Sequence, residues 1–153
     1  MHITNPLLLP LTLLLALPPT STHAAPTAAA SPKNIYLTSC TTYTLQSDQR
    51  TSAAILYTAA AGSSNPSALS TLAPTQWAGS TQRVQLSGSI FESRIEAGAE
   101  GLERSSIAGQ ARLGRERFVC FRDGGSVFRF GEGVVGEGVT VCTAEFWCGS
   151  LGS

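Results

Sequence analysis

Phe118-Val119-Cys120-Phe121-Arg122-Asp123-Gly124-Gly125-Ser126-Val127-Phe128-Arg129-Phe130 is followed, after a glycine-rich loop, by Val139-Thr140-Val141-Cys142-Thr143-Ala144-Glu145-Phe146-Trp147-Cys148. These two runs decide the fold. They hold three of the four cysteines, five of the six phenylalanines and one of the two tryptophans. Phe118 to Arg122 is apolar on both faces, which suits a central strand. Asp123-Gly124-Gly125-Ser126 has the residues of a tight hairpin turn, and Val127 to Phe130 reads as the returning strand. Val139 to Trp147 then closes the sheet, with Cys142, Ala144, Phe146 and Cys148 expected on one face.

The same pattern extends toward the N-terminus. Asn34 to Leu45 and Ser52 to Ala60 read as strands separated by a polar turn, Gln46 to Arg50. A short helix is the competing reading for the second run. Gly62 to Pro74 reads as a long surface loop, and Gln76 to Gly79 as a short strand or turn anchored by Trp77. Arg83 to Ile90 alternates, placing Val84, Leu86 and Ile90 inward. Phe91 to Arg104 reads as a loop with a helical turn, because Ile95, Ala99 and Leu102 have helical spacing while Gly98 and Gly101 oppose a helix. Ser106 to Leu113 reads as a strand. Seven or eight short strands without room for parallel crossovers predict an all-β single domain, an antiparallel β-sandwich or small β-barrel with two disulfides.

Leu7 to Leu17 is an apolar run with eight leucines, too short to cross a bilayer as a helix. Pro18 and Pro19 end it, and Thr22-His23-Ala24 puts small residues where signal peptidase reads them. Residues 1–24 are thus expected to be a signal peptide, 25–32 a flexible leader, and 33–153 the disulfide-bonded domain. Cleavage after Ala24 would discard His2 and His23, the only two histidines. A chain without histidine has no Ser-His-Asp triad, Cys-His nucleophile or His-ligated metal site.

An oxidising compartment and an even cysteine count imply that Cys40, Cys120, Cys142 and Cys148 form two disulfides. Cys142 and Cys148 lie six residues apart on one strand, about 20 Å when extended, well beyond bridging distance. Of the two remaining connectivities, Cys40–Cys148 with Cys120–Cys142 is preferred over Cys40–Cys142 with Cys120–Cys148. No Cys-x-x-Cys pair suggests a metal.

Formal net charge is zero and charged residues make up only 13%, so no basic excess points to nucleic acid. The arginines at 112, 115, 117 and 122 cluster locally, but Glu116 and Asp123 interrupt them, and a solvated strand face is preferred to an anion site. Gly131-Glu132-Gly133-Val134-Val135-Gly136 matches a dinucleotide fingerprint by letter alone. A strand follows instead of a helix, and Glu132 and Glu137 would repel phosphate. Glu92, Glu96, Glu100 and Glu103 offer carboxylates, read as a solvated loop ahead of a glycosidase pair. Glu116 and Glu145 are expected to face outward. Trp77, Tyr57, Tyr43 and Trp147 are the aromatics available for stacking on a sugar or a protein.

Tyr36-Leu37-Thr38-Ser39-Cys40, Trp77-x-Gly79, Ile107-Ala108-Gly109, Phe118 to Gly124, and Cys142 followed by Phe146-Trp147-Cys148 resemble a group of small secreted, four-cysteine fungal proteins. Some of these are described as elicitors that induce a hypersensitive response in plants. The resemblance implies a secreted, effector-like protein and carries over no catalytic residue. The expected function is therefore a secreted, extracellular, non-enzymatic effector or elicitor that binds a host protein or cell-wall glycan. It needs no cofactor or metal, binds no nucleic acid, leaves the membrane after signal cleavage, and acts as a monomer. A carbohydrate-binding or weakly hydrolytic wall protein, using its carboxylates, is the first alternative. A small toxin or antimicrobial protein is the second, disfavoured by zero net charge.

Overall fold

The computed structural model describes residues 33–58, 65–131, 135 and 137–152. The expected signal peptide and leader lie outside these residues, as do parts of the loops expected at 62–74 and 131–138. The described residues form nine strands: β1 (Asn34–Tyr43), β2 (Asp48–Tyr57), β3 (Ala68–Leu72), β4 (Thr81–Leu86), β5 (Ser89–Ile95), β6 (Ile107–Leu113), β7 (Glu116–Arg122), β8 (Val127–Phe130) and β9 (Val139–Ser150). Their order is β3-β2-β1-β9-β7-β6-β5-β4, all antiparallel, with β8 also on β9. The end strands β3 and β4 lie beside each other without a ladder, so the sheet is a nearly closed barrel.

β9 organises the sheet. Along one edge it pairs with the whole of β1. Along the other, Phe146–Ser150 pair with β7 and Thr140–Thr143 with β8. The turn at Asp123 is therefore not a hairpin, and β8 does not fold back on β7. Residues 116–130 run along β9 in one line, interrupted where Asp123–Ser126 face only Ala144 and Glu145. The Asp123 carboxylate holds this corner, accepting the amides of Gly125 (2.8 Å) and Ser126 (2.6 Å). The ladder continues through Asp123 N–H to Glu145 O (2.9 Å) and Ala144 N–H to Ser126 O (2.8 Å).

Opposite this corner, β9 carries one extra residue against β1. Leu37 pairs with Phe146 and Thr38 with Ala144, leaving Glu145 as the bulge. Side chains alternate with period two, so one inserted residue exchanges the faces on either side of it. Phe146 and Cys148 consequently join a first core with Ile35, Leu37, Leu56, Trp77, Phe91 and Phe118 inside the barrel. Cys142 and Ala144 join a second core with Cys40, Ile55, Tyr57, Phe128 and Phe130 on the other side of the sheet. The expectation that Cys142, Ala144, Phe146 and Cys148 share one face fails at that bulge.

The disulfide pairing follows directly. The bonds are Cys40–Cys142 and Cys120–Cys148, not Cys40–Cys148 with Cys120–Cys142. Each joins residues directly opposite in the ladder, with Cα atoms 4.0 Å and 3.9 Å apart. Cys142 lies beside β1 in the second core and Cys148 beside β7 in the first, so no other pairing reaches.

Other differences have local causes. Ser87 and Gly88 both have positive φ (49° and 77°), the requirement of a two-residue hairpin turn. The run expected as one strand over 83–90 thus folds into β4 and β5, and Ile90 points outward, 53% exposed. β5 runs on to Ile95 because Phe91, Ser93 and Ile95 alternate inward; only Ala99–Gly101 forms a 3-10 turn, after Gly98 at φ 78°. Within the expected loop at 62–74, Ala68–Leu72 is a strand because it completes the β2 edge. The second run is strand through Tyr57, with no helix among its described residues.

Trp77 is fully buried in the first core, and its indole N–H donates to Thr38 O (3.3 Å), at the register shift of β1. Two results are expected. Trp77→Ala should cost about 3–5 kcal/mol in urea unfolding, from lost burial and the lost indole hydrogen bond. Non-reducing peptide mapping should recover 40–142 and 120–148 linked peptides; a 40–148 peptide would contradict the bulge.

Candidate functional site

The four aromatics singled out from sequence separate. Trp77 and Tyr57 are core residues, 0% and 3% exposed. Tyr57 stacks on Phe128 (centroids 5.6 Å) and meets Tyr36 edge-on (5.9 Å). In a flat sheet β2 and β8, separated by β1 and β9, would lie about 14 Å apart. The contact shows that this end of the sheet curls around the second core. Tyr43 is half exposed at the β1–β2 turn. There Leu45 and Val139 are also open, beside a groove of about 790 Å³ edged by Thr42, Thr44, Ser47 and Thr51. Trp147 is half-buried on the outer face of the barrel.

Trp147 belongs to a row invisible in the linear sequence. Ladder partners place Leu69, Ile55, Tyr36, Trp147, Phe121 and Ile107 side by side across β3, β2, β1, β9, β7 and β6. All lie on the face opposite the barrel interior. Ile55 is buried in the second core, while Ile107 at the other end is 69% exposed. Phe121 and Trp147 stack with centroids 4.6 Å apart and planes at 24°. Rings on neighbouring strands stack that closely only when they stand up from the sheet. The row is therefore an apolar ridge in which the Phe121–Trp147 pair presents ring edges to solvent.

Two features hold the ridge. Gly149, next but one along β9, leaves room for the indole; a Cβ there would lie 3.0 Å from Trp147 Cζ3. Tyr36 closes the other side against Phe128 (4.8 Å). Burial, with a contribution from the Asp123 charge, pushes the Tyr36 phenol above its ordinary value. Burial does the same to Tyr57, aided by Tyr36. Both hydroxyls remain protonated at neutral pH.

The carboxylates are mostly engaged. Glu116, expected to face outward, turns inward to Lys33 and to the hydroxyl of Ser150. Glu145 accepts the Ser39 hydroxyl. Asp123 holds its own turn. Glu92 takes a hydrogen bond from Arg83 and lies 3.5 Å from Arg112. Glu96, Glu100 and Glu103 are exposed on the loop after β5. Among the described residues no group of three or more His, Cys, Asp or Glu is placed to hold a metal. Of the arginines grouped by sequence, Arg122 points away from the others, its guanidinium 5.6 Å from the Phe146 ring centroid and bonded to the carbonyls of Glu100 and Glu145. Comparison with protein-family models, curated proteins and solved structures found no match.

Glu92 yields a measurable consequence. The Arg83 hydrogen bond, with the Arg112 and Arg83 charges, outweighs desolvation and holds its carboxyl below the usual range. The pair persists above that lowered pKa and is lost as pH falls through it. In an NMR titration Glu92 should have a midpoint below an ordinary glutamate, and Arg83→Ala should raise it. An unchanged midpoint would remove the hydrogen bond as the cause.

Proposed function

We propose that the protein is a secreted, non-enzymatic binding protein that acts outside the cell on a host or cell-wall component through the outer face of its sheet. The observation that carries this reading is the ridge of Tyr36, Trp147, Phe121 and Ile107. Phe121 and Trp147, half-open and stacked on paired strands, lose little side-chain entropy when a ligand covers them. Engagement of Glu92, Glu116, Asp123 and Glu145 by structural partners favours binding over hydrolysis. Two disulfides and the N-terminal apolar run favour an extracellular site of action. An elicitor role, as the sequence resemblance implies, is the biological form this reading takes.

Upright rings narrow the ligand. A flat crystalline polymer meets ring faces, which these rings do not present. A single polymer chain lying beside the ridge, or a protein pocket that admits it, fits better.

The test pairs a wall-glycan array with leaf infiltration, using the oxidised chain and the Phe121→Ala/Trp147→Ala variant. Wild-type binding that falls about tenfold or more in the variant, with the same circular dichroism, is expected. Undiminished binding would remove the ridge as the contact. No glycan binding and no leaf response to the oxidised chain would remove the reading itself.

A further inference from the structure

Past the ridge, the outer face continues onto β6, β5 and β4, and its chemistry changes from aromatic to cationic. Ladder partners place Arg83, Glu92, Arg112 and Arg117 in one row across β4, β5, β6 and β7. The adjacent row, nearer the ridge, holds Thr81, Arg94, Gln110 and Val119. All four arginines are exposed. Four guanidinium groups against one carboxylate give this face a local charge of 4 − 1 = +3, on a chain whose formal net charge is zero. Glu92 occupies Arg83 and Arg112, while Arg94 and Arg117 have no ion pair among the described residues. The cationic patch is built by register. Arg83 and Arg94 lie far in sequence from Arg112 and Arg117, and only the β4–β5–β6–β7 ladder brings them together.

Resting on the binding reading above, we propose that this face binds a linear acidic polysaccharide whose charges are ring carboxylates, a polyuronate. The arginines receive the carboxylates, and the amides and hydroxyl beside them, Gln85, Gln110 and Thr81, receive sugar hydroxyls. The apolar ridge flanks the bound chain. Three features select this partner. The face is open, with a shallow depression of about 450 Å³ between Arg83, Gln85, Ile90, Glu92 and Arg112, so it suits an extended polymer better than an enclosed small molecule. Its cations are all arginine, whose planar fork matches a carboxylate in two parallel hydrogen bonds. Neighbouring strands space the arginines singly, about 5 to 10 Å apart, suiting one charge per ring more than the dense charge of a phosphodiester duplex. Glu92 in the centre and the zero net charge also oppose a nucleic acid.

The experiment measures binding of the oxidised full chain to polygalacturonate, its methyl ester, a neutral β-glucan, and phosphatidylcholine vesicles with and without phosphatidylserine. The expected result is binding to polygalacturonate that weakens with added salt and is absent for the methyl ester. Arg94→Gln/Arg112→Gln/Arg117→Gln should weaken it about tenfold or more. Glu92→Gln should tighten it several-fold, because it releases two arginines and removes the one repelling carboxylate; a merely structural ion pair would not give that sign. Equal binding of the acid and its ester, or of the β-glucan, unaffected by the arginine changes, would overturn the polyuronate inference and leave the ridge reading standing. Binding to phosphatidylserine vesicles without binding to polygalacturonate would overturn it in favour of an anionic lipid surface. Binding to none of these probes would overturn it too, while the Phe121 and Trp147 variant would still judge the ridge on other ligands.

Discussion

A single extra residue in the longest strand divides this protein into two cores. β9 pairs with three other strands, and the bulge at Glu145 turns its N-terminal half toward one side of the sheet and its C-terminal half toward the other. Without it Cys142 and Cys148 would face the same way, and no bridge could reach β1 on one side and β7 on the other from opposite faces. The corner at Asp123–Ser126 matches the bulge on the opposite edge, so β7 and β8 change faces at the same level. The indole N–H of Trp77 reaches the carbonyl of Thr38 at this shift, tying the barrel core to the place where the ladder is irregular.

The β class, the strand content and the importance of residues 118–148 were legible because alternation, turn residues and cysteines are local signals. The register was not. Strict alternation through Cys142, Ala144, Phe146 and Cys148 looks continuous, and burial along β9 does alternate without a break. What changes is the side on which the buried residues lie, and that depends on the partner strand. The disulfide choice failed for the same reason. Ser87-Gly88 was a readable turn signal, but the alternation of Val84, Leu86 and Ile90 masked it. Trp77 and Trp147 are equally plausible anchors as letters; one is sealed inside and the other stands on the surface, because only Trp147 lies on a strand's outward positions.

The surface separates its chemistry by strand. Aromatics occupy the outer positions of β1, β9 and β7, and arginines those of β4, β5, β6 and the end of β7. Of the other carboxylates, Glu96, Glu100 and Glu103 lie on the loop after β5, and Asp48 and Glu137 near the β1–β2 turn. Net charge therefore conceals an asymmetric molecule. Composition could report only the sum, whereas antiparallel pairing decides which charges are neighbours.

The Cys40–Cys142 bridge encloses most of the domain. Extracellular fluids are rich in proteases, and their usual targets are exposed loop tips. One cut anywhere between residues 40 and 142 leaves both pieces covalently attached, and β9 stays held to β1 in its native register. A cut between 120 and 142 leaves them joined twice. A nicked molecule thus remains one covalent particle, so chain cleavage and separation of the fragments become separate events.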